Sequence, residues 1–247
     1  MPTLEELLRA GVHFGHQQSR WHPKMEPFIF GARNGVHIID LEKTVVQLEK
    51  AAAFLSATAA KGGKALFLGT KPQTKKFVQT AAERAGMPFV TERWLGGTFT
   101  NFEEIRRMMK RLAELKKQIE TGELAKKYTK RELLDFSREA GELQKKIGGI
   151  ADMMELPRAI VVFDVRGELT AIREAKKRKI PVVAVCDTNV NPGPVDYVIP
   201  GNDDAIKAVA LFTRVLADAV LEGKKQYVAP APSVLAGKTM RRVVHTK

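Results

Sequence analysis

A single cysteine, Cys186, stands in 247 residues. An intramolecular disulfide is thereby excluded, as is a zinc site built from several cysteines, and a reducing compartment is expected. Cys186 lies inside the apolar run VVAVCD and reads as a small buried residue. No uninterrupted apolar stretch approaches the roughly 18 residues of a membrane span, and the opening MPTLEELLRAG lacks the basic and apolar regions of a signal peptide. A soluble, cytoplasmic protein with no membrane partner is expected. The motifs of nucleotide and acyl-transfer chemistry are missing too. No G-x-G-x-x-G follows a β-prone run, and neither G-x-x-x-x-G-K-[ST] nor G-x-S-x-G occurs. These gaps argue against an enzyme, a cofactor and a small-molecule substrate.

Acidic residues are scarce where basic ones are not. The chain carries 41 Lys and Arg against 28 Asp and Glu, a net charge of +13. Residues 1–100 contribute +5, 101–150 contribute +4, 151–222 contribute −2, and 223–247, with no acidic residue, contribute +6. Attraction to a polyanion therefore lies in the first half and the tail. The hydrophobic share of 44% suffices for one principal domain with an embellishment.

Short β-rich runs alternate with amphipathic helical stretches, the pattern of a parallel sheet covered on both faces. Strands are expected at KALFLG (64–69), PFVT (88–91), AIVVFD (159–164), VVAVCD (182–187) and YVIPG (197–201), whose unbroken apolar character fits burial on both sides. Helices are expected at 42–60, 71–85, 168–178 and 204–221, the last capped by Asn202 or Asp203. FIFGARNGVHIID (28–40) reads as a hairpin turning at Asn34–Gly35.

Residues 102–154 break this rhythm. Ile105, Met108, Leu112, Leu115 and Ile119 recur at heptad spacing, as do Phe136, Ala140, Leu143, Ile147, Ile150 and Met154. Thr129 with Glu132 forms a capping box between the two stretches. An antiparallel helical hairpin is expected here. It stands out from an α/β body of residues 1–101 and 155–222, which should fold without it. Residues 223–247 are expected to form a flexible or partner-ordered basic tail.

AGVHFGHQQSRWHPKM (10–25) concentrates histidines and cations. His16 with Asp187 and Asp204 can assemble a mixed metal site at the sheet edge, packing and hydrogen bonding being the simpler role for the histidines. In LFLGTKPQTKK, Lys71 and Lys75 can present ammonium groups to a phosphate at a helix start, or form a solvated lysine face. Elsewhere a basic side chain recurs beside an aromatic or a glycine: Arg20, Trp21 and Lys24; Arg33 before Asn34–Gly35; Arg93 and Trp94 before Gly96–Gly97. Cations neutralise phosphates, aromatic planes stack on bases, and glycines admit close approach. Trp21 and Trp94 read equally well as core anchors.

Several of these stretches carry a family resemblance. AGVHFGH with RWHPKM, FIFGARNGVHIIDLEKT, LFLGTK, ERWLGGTFTNF, and DTNVNP followed by DYVIPGNDDAI resemble the small-subunit ribosomal protein of the S-two family, bacterial or organellar type, from Leu4 to Leu221. The resemblance implies a Rossmann-like parallel sheet flanked by helices, with an inserted antiparallel coiled-coil hairpin. It implies binding to small-subunit rRNA near the head–body junction and recruitment of the OB-fold ribosomal protein that captures mRNA, without catalysis. Carried over by motif, Arg20, Trp21, Lys24 and Arg93 face rRNA. Arg106, Arg107, Lys110 and Arg111 join them on charge alone. Residues 187–204 with the opening segment match an edge offered to a protein neighbour or a metal.

Overall fold

The computed structural model describes residues 1–122, 124 and 127–227. Its centre is a five-stranded sheet of β4 (Ala65–Leu68), β5 (Phe89–Val90), β6 (Ala159–Val162), β7 (Val182–Cys186) and β8 (Tyr197–Pro200). The order is β5-β4-β6-β7-β8 with every neighbouring pair parallel. Numbered within the sheet, this is the 2-1-3-4-5 order of doubly wound α/β folds, whose switch point lies between β4 and β6.

Strand alternation divides the core in two, because successive side chains leave a strand on opposite faces. Phe67, Val161, Phe163, Val183 and Val185 pack with α2 (Leu41–Ala60), α3 (Pro72–Ala85) and the long helix Ile206–Gln226. Leu66, Leu68, Ile160, Val162, Val182, Ala184 and Cys186 pack on the other face with Ala171, Ile172 and Ala175 of the helix Leu169–Lys177.

A separate antiparallel sheet, ordered β1-β3-β2, joins β1 (Phe14–Gln17), β2 (Ile29–Arg33) and β3 (Val36–Ile39) behind α1 (Leu4–Arg9). Asn34 and Gly35 turn the β2–β3 hairpin with φ of 53° and 76°, the left-handed pair a tight hairpin requires. β1 lies outside the strands expected from the sequence. Its sequence, FGHQ, has no β-branched residue, and it is a strand because β3 supplies its ladder.

Between β5 and β6 stand α4 (Phe102–Glu120) and α5 (Lys130–Ile147), the latter opened by the Thr129–Glu132 capping box. Ile105, Met109, Leu112 and Leu115 are buried on α4, and Ala140 and Ile147 on α5. The expected stripe fails at its ends. Ile119 is 41% exposed, and Met154 is 76% exposed while Met153 points inward. The cause at the base is the 3₁₀ turn Gly148–Ile150, which shifts the helical phase where Gly149 presses on Phe89. Ile105, Met109, Leu112, Ile147 and Ile150 belong to the same core as Leu66 and Val162 of the sheet, so the base of the pair is part of the body.

With α6 for Leu169–Lys177 and α7 for Ile206–Gln226, two further expectations change. Ala205, not Asn202 or Asp203, occupies the N-cap position of α7, with no side-chain cap; Asn202 Oδ1 accepts from the amides of Asp204 and Ala205 just before the helix. α7 also runs past the expected end, taking residues 223–226 of the expected tail into the helix. Residues 228–247 of that tail lie outside the described residues.

Candidate nucleic-acid interface

The carboxyl ends of β4, β6, β7 and β8 are where a doubly wound sheet receives a ligand. Here the opening segment is docked against them. His16 N donates to Thr188 Oγ1 at 2.8 Å, His22 N to the Thr188 carbonyl at 2.8 Å, and Asn202 N to the Val12 carbonyl at 3.1 Å. Gly15 permits this approach: a Cβ there would stand 2.6 Å from Thr188 Cγ2.

His16 bridges two aspartates, with Nδ1 3.0 Å from Asp187 Oδ1 and Nε2 3.5 Å from Asp204 Oδ2. The hydrogen bond to Asp187 raises its pKa above the ordinary imidazole value, against the opposing effect of burial, and Asp203 and Asp204 add to the rise. Lys71 Nζ lies 2.9 Å from Asp204 Oδ1, 3.0 Å from Asp203 Oδ1 and 3.6 Å from Asp164 Oδ2. Burial works against that ammonium, yet the surrounding carboxylates hold it protonated. Burial also pushes the Asp203 carboxyl up to about 7, with Lys71 holding it back. Thr70 donates to the buried Glu168, whose pKa burial raises.

The crevice thus holds Asp164, Glu168, Asp187, Asp203 and Asp204 against Lys71 and His16. A nucleotide phosphate would meet net negative charge. His16, Asp187 and Asp204 meet, the imidazole turning Nδ1 to Asp187 and Nε2 to Asp204. Among the described residues no group of three or more His, Cys, Asp or Glu side chains is arranged to hold a metal ion.

Residues 92–102 have a different organiser. Glu174 of α6, 8% exposed, accepts through Oε1 from Gly97 N (2.7 Å) and Trp94 Nε1 (3.2 Å). Its Oε2 accepts from Phe99 N (2.9 Å), Thr100 N (3.1 Å) and Thr100 Oγ1 (3.2 Å). Burial would raise this carboxyl, but the donors outweigh it and hold the pKa below the usual carboxylate value. Trp94 is therefore a core anchor, set edge-on to Phe99.

The family profile described as Ribosomal protein S2 matches residues 7–223. The chain belongs to the ribosomal protein S2 family. An S2 protein is a structural, non-enzymatic component of the small ribosomal subunit and serves translation. That role accords with a Rossmann-like sheet whose ligand crevice is occupied by the protein's own charges.

In this S2 protein the expected RNA-facing residues divide by geometry. Lys71 is surrounded by aspartates, Lys75 pairs with Glu92 at 2.7 Å, and Arg107 pairs with Glu104 at 3.0 Å. Arg111 pairs with Glu139 across α4 and α5 at 2.9 Å, while Arg106 reaches Glu103 and the Met154 carbonyl. Arg20, Lys24, Arg33, Arg93 and Lys110 are exposed and form no ion pair with a described residue. Trp21 is 36% exposed, its ring 5.2 Å from that of His37. Glu174 escaped the sequence reading because a lone Glu in an amphipathic helix carries no signal of the donors 74–80 residues away. The clustering of donors in RWLGGTFTN was the nearest hint.

Proposed function

We propose that this S2 protein holds small-subunit rRNA through Arg20, Lys24, Arg33 and Arg93, with Trp21 available for stacking. The observation that carries this reading is their exposure without carboxylate partners among the described residues, while Lys71, Lys75, Arg107 and Arg111 are already neutralised. A free cation releases condensed counterions when it meets a phosphate; a paired one must first give up its carboxylate. The family likeness supports a seat near the junction of head and body.

Recruitment of the OB-fold mRNA-binding protein belongs to the same reading. Leu4, Leu8, Phe30 and Ile38 line an open apolar cleft of about 470 Å³, with Phe30 81% exposed and Glu5, Asp40 and Glu42 beside it. A cleft of that character suits a protein neighbour better than a phosphate backbone. The paired helices α4 and α5, with residues 102–154 as an inserted coiled-coil hairpin, would extend the contact area.

Filter binding of the full chain to small-subunit rRNA across a salt series tests the reading. Replacing Arg20, Lys24, Arg33 and Arg93 by Gln should lower the log–log salt slope by about 3, at roughly 0.7–0.9 per phosphate contact. A wild-type affinity that stays flat as salt rises would refute it. A saturable rise in melting temperature with a mononucleotide would favour a nucleotide-binding protein instead.

A further inference from the structure

The amino-terminal edge of the parallel sheet, opposite the acidic crevice, gathers cations that the opening segment does not explain. Lys64 precedes β4, Arg158 precedes β6, and Lys179 lies just before β7. These three strands are adjacent and parallel: Lys64 and Arg158 stand level, about 4.8 Å apart, one residue before the paired Ala65 and Ala159, and Lys179 follows one residue short of that level, in the turn leading into β7. The register is tight at its centre, where Arg158 N donates to the Lys64 carbonyl at 2.8 Å. Lys61 and Arg178, the residues closing α2 and α6, flank the row.

Two open clefts meet here. One, of about 570 Å³, is lined by Lys61, Lys64, Glu155 and Arg158; the other, of about 610 Å³, by Glu103, Arg106, Glu155, Arg158, Arg178 and Lys179. Six cations therefore face two carboxylates, one of them already paired with Arg106. The carboxyl ends of α2 and α6 subtract only about half a charge each. Lys61, Lys64, Arg158, Arg178 and Lys179 are exposed, and none pairs with a carboxylate among the described residues. Arg178 is held in place instead by the carbonyls of Phe99 and Thr100, at 2.8 and 2.9 Å, which fix its direction without cancelling its charge. The excess is felt nearby: burial, and then repulsion from Lys64, lower the pKa of Lys224.

From this row of uncompensated cations we infer that the amino-terminal edge of the sheet is a second phosphodiester-binding face, centred on Lys64, Arg158 and Lys179. It lies across the sheet from the edge where Lys71 is neutralised by aspartates. The inference rests on the rRNA reading above and adds a distinct surface to it. Tyr227, 43% exposed and packed over Gly62, borders the face with an aromatic ring.

The test uses the full chain carrying Lys61→Gln, Lys64→Gln, Arg158→Gln and Lys179→Gln. A control removes four exposed cations elsewhere: Lys50→Gln, Lys76→Gln, Lys207→Gln and Arg214→Gln. Binding to small-subunit rRNA is followed from low to high salt, with the melting temperature of each variant recorded. The edge variant should melt like the parent, bind at least tenfold more weakly at low salt, and lose about 3 from the log–log slope, with the control losing under 1. Wild-type binding combined with an unchanged edge variant, or equal losses in edge and control variants, would overturn this face alone. Absence of salt-dependent binding by the wild type would instead overturn the rRNA reading itself. Unchanged rRNA affinity with failed incorporation into subunits would assign the face to an acidic protein neighbour and likewise overturn the inference.

Discussion

Replacing Glu174 by Gln should destabilise the protein far more than the loss of one surface charge would. The carboxylate accepts five hydrogen bonds, two at Oε1 and three at Oε2. A glutamine keeps one oxygen and turns an amide NH2 toward the other donors. In the better orientation the oxygen stays with Phe99 and Thr100, and the Trp94 indole N–H and the Gly97 amide are orphaned. Each buried donor left without a partner costs about 1–3 kcal/mol, and the relief of no longer burying a charge returns part of that sum. A loss of about 3 kcal/mol is expected. Gly97, at φ 94°, and Thr100 lie on either side of Phe99, so the damage should spread through residues 94–100. Urea unfolding measures it, the midpoint falling at unchanged slope. The pH dependence supplies a second arm. Because the folded pKa lies below the unfolded value, this carboxylate stabilises the fold above about pH 4.5, and the contribution is lost as pH falls through the folded value. Glu174→Gln should therefore differ most from the parent at neutral pH and approach it in acid. A loss under about 1 kcal/mol, or a difference that grows on acidification, would show that the cage is not what holds this segment.

The remaining predictions concern the crevice and the helical pair. His16 has a folded pKa above its unfolded value, so its contribution is complete below about pH 6.5 and disappears as pH rises through the folded value. Asp203, raised to about 7, bends the curve the same way. The readout is therefore the difference in unfolding free energy between parent and His16→Gln from pH 5 to 8, which should narrow with rising pH; a constant difference refutes the assignment. Shortening α4 and α5 by removing residues 113–142 should leave the sheet cooperative in thermal unfolding. Deleting 103–152 should not, since it takes Ile105, Met109, Leu112, Ile147 and Ile150 from the core, where single truncations cost about 2–5 kcal/mol. Equal melting temperatures for the two deletions would contradict the shared core.

The sequence by itself determined the five buried strands, because a strand covered on both faces needs an unbroken apolar run and few other segments can contain one. It determined the Asn34–Gly35 turn and the Thr129–Glu132 cap for a similar reason: the partners lie within a few residues, where spacing dictates geometry. Family membership was legible in the same way, as stretches of local sequence in order. Tertiary structure alone decided the strand order, the conversion of Phe14–Gln17 into a strand, and the joining of the helical base to the body. It also decided which cations are free. Lys71 meets an aspartate 133 positions away, Arg111 a glutamate 28 positions away, and Glu174 donors some 75 positions away. Charge is a property of a residue, but neutralisation is a property of a distance, and those distances exist only once the chain has closed on itself.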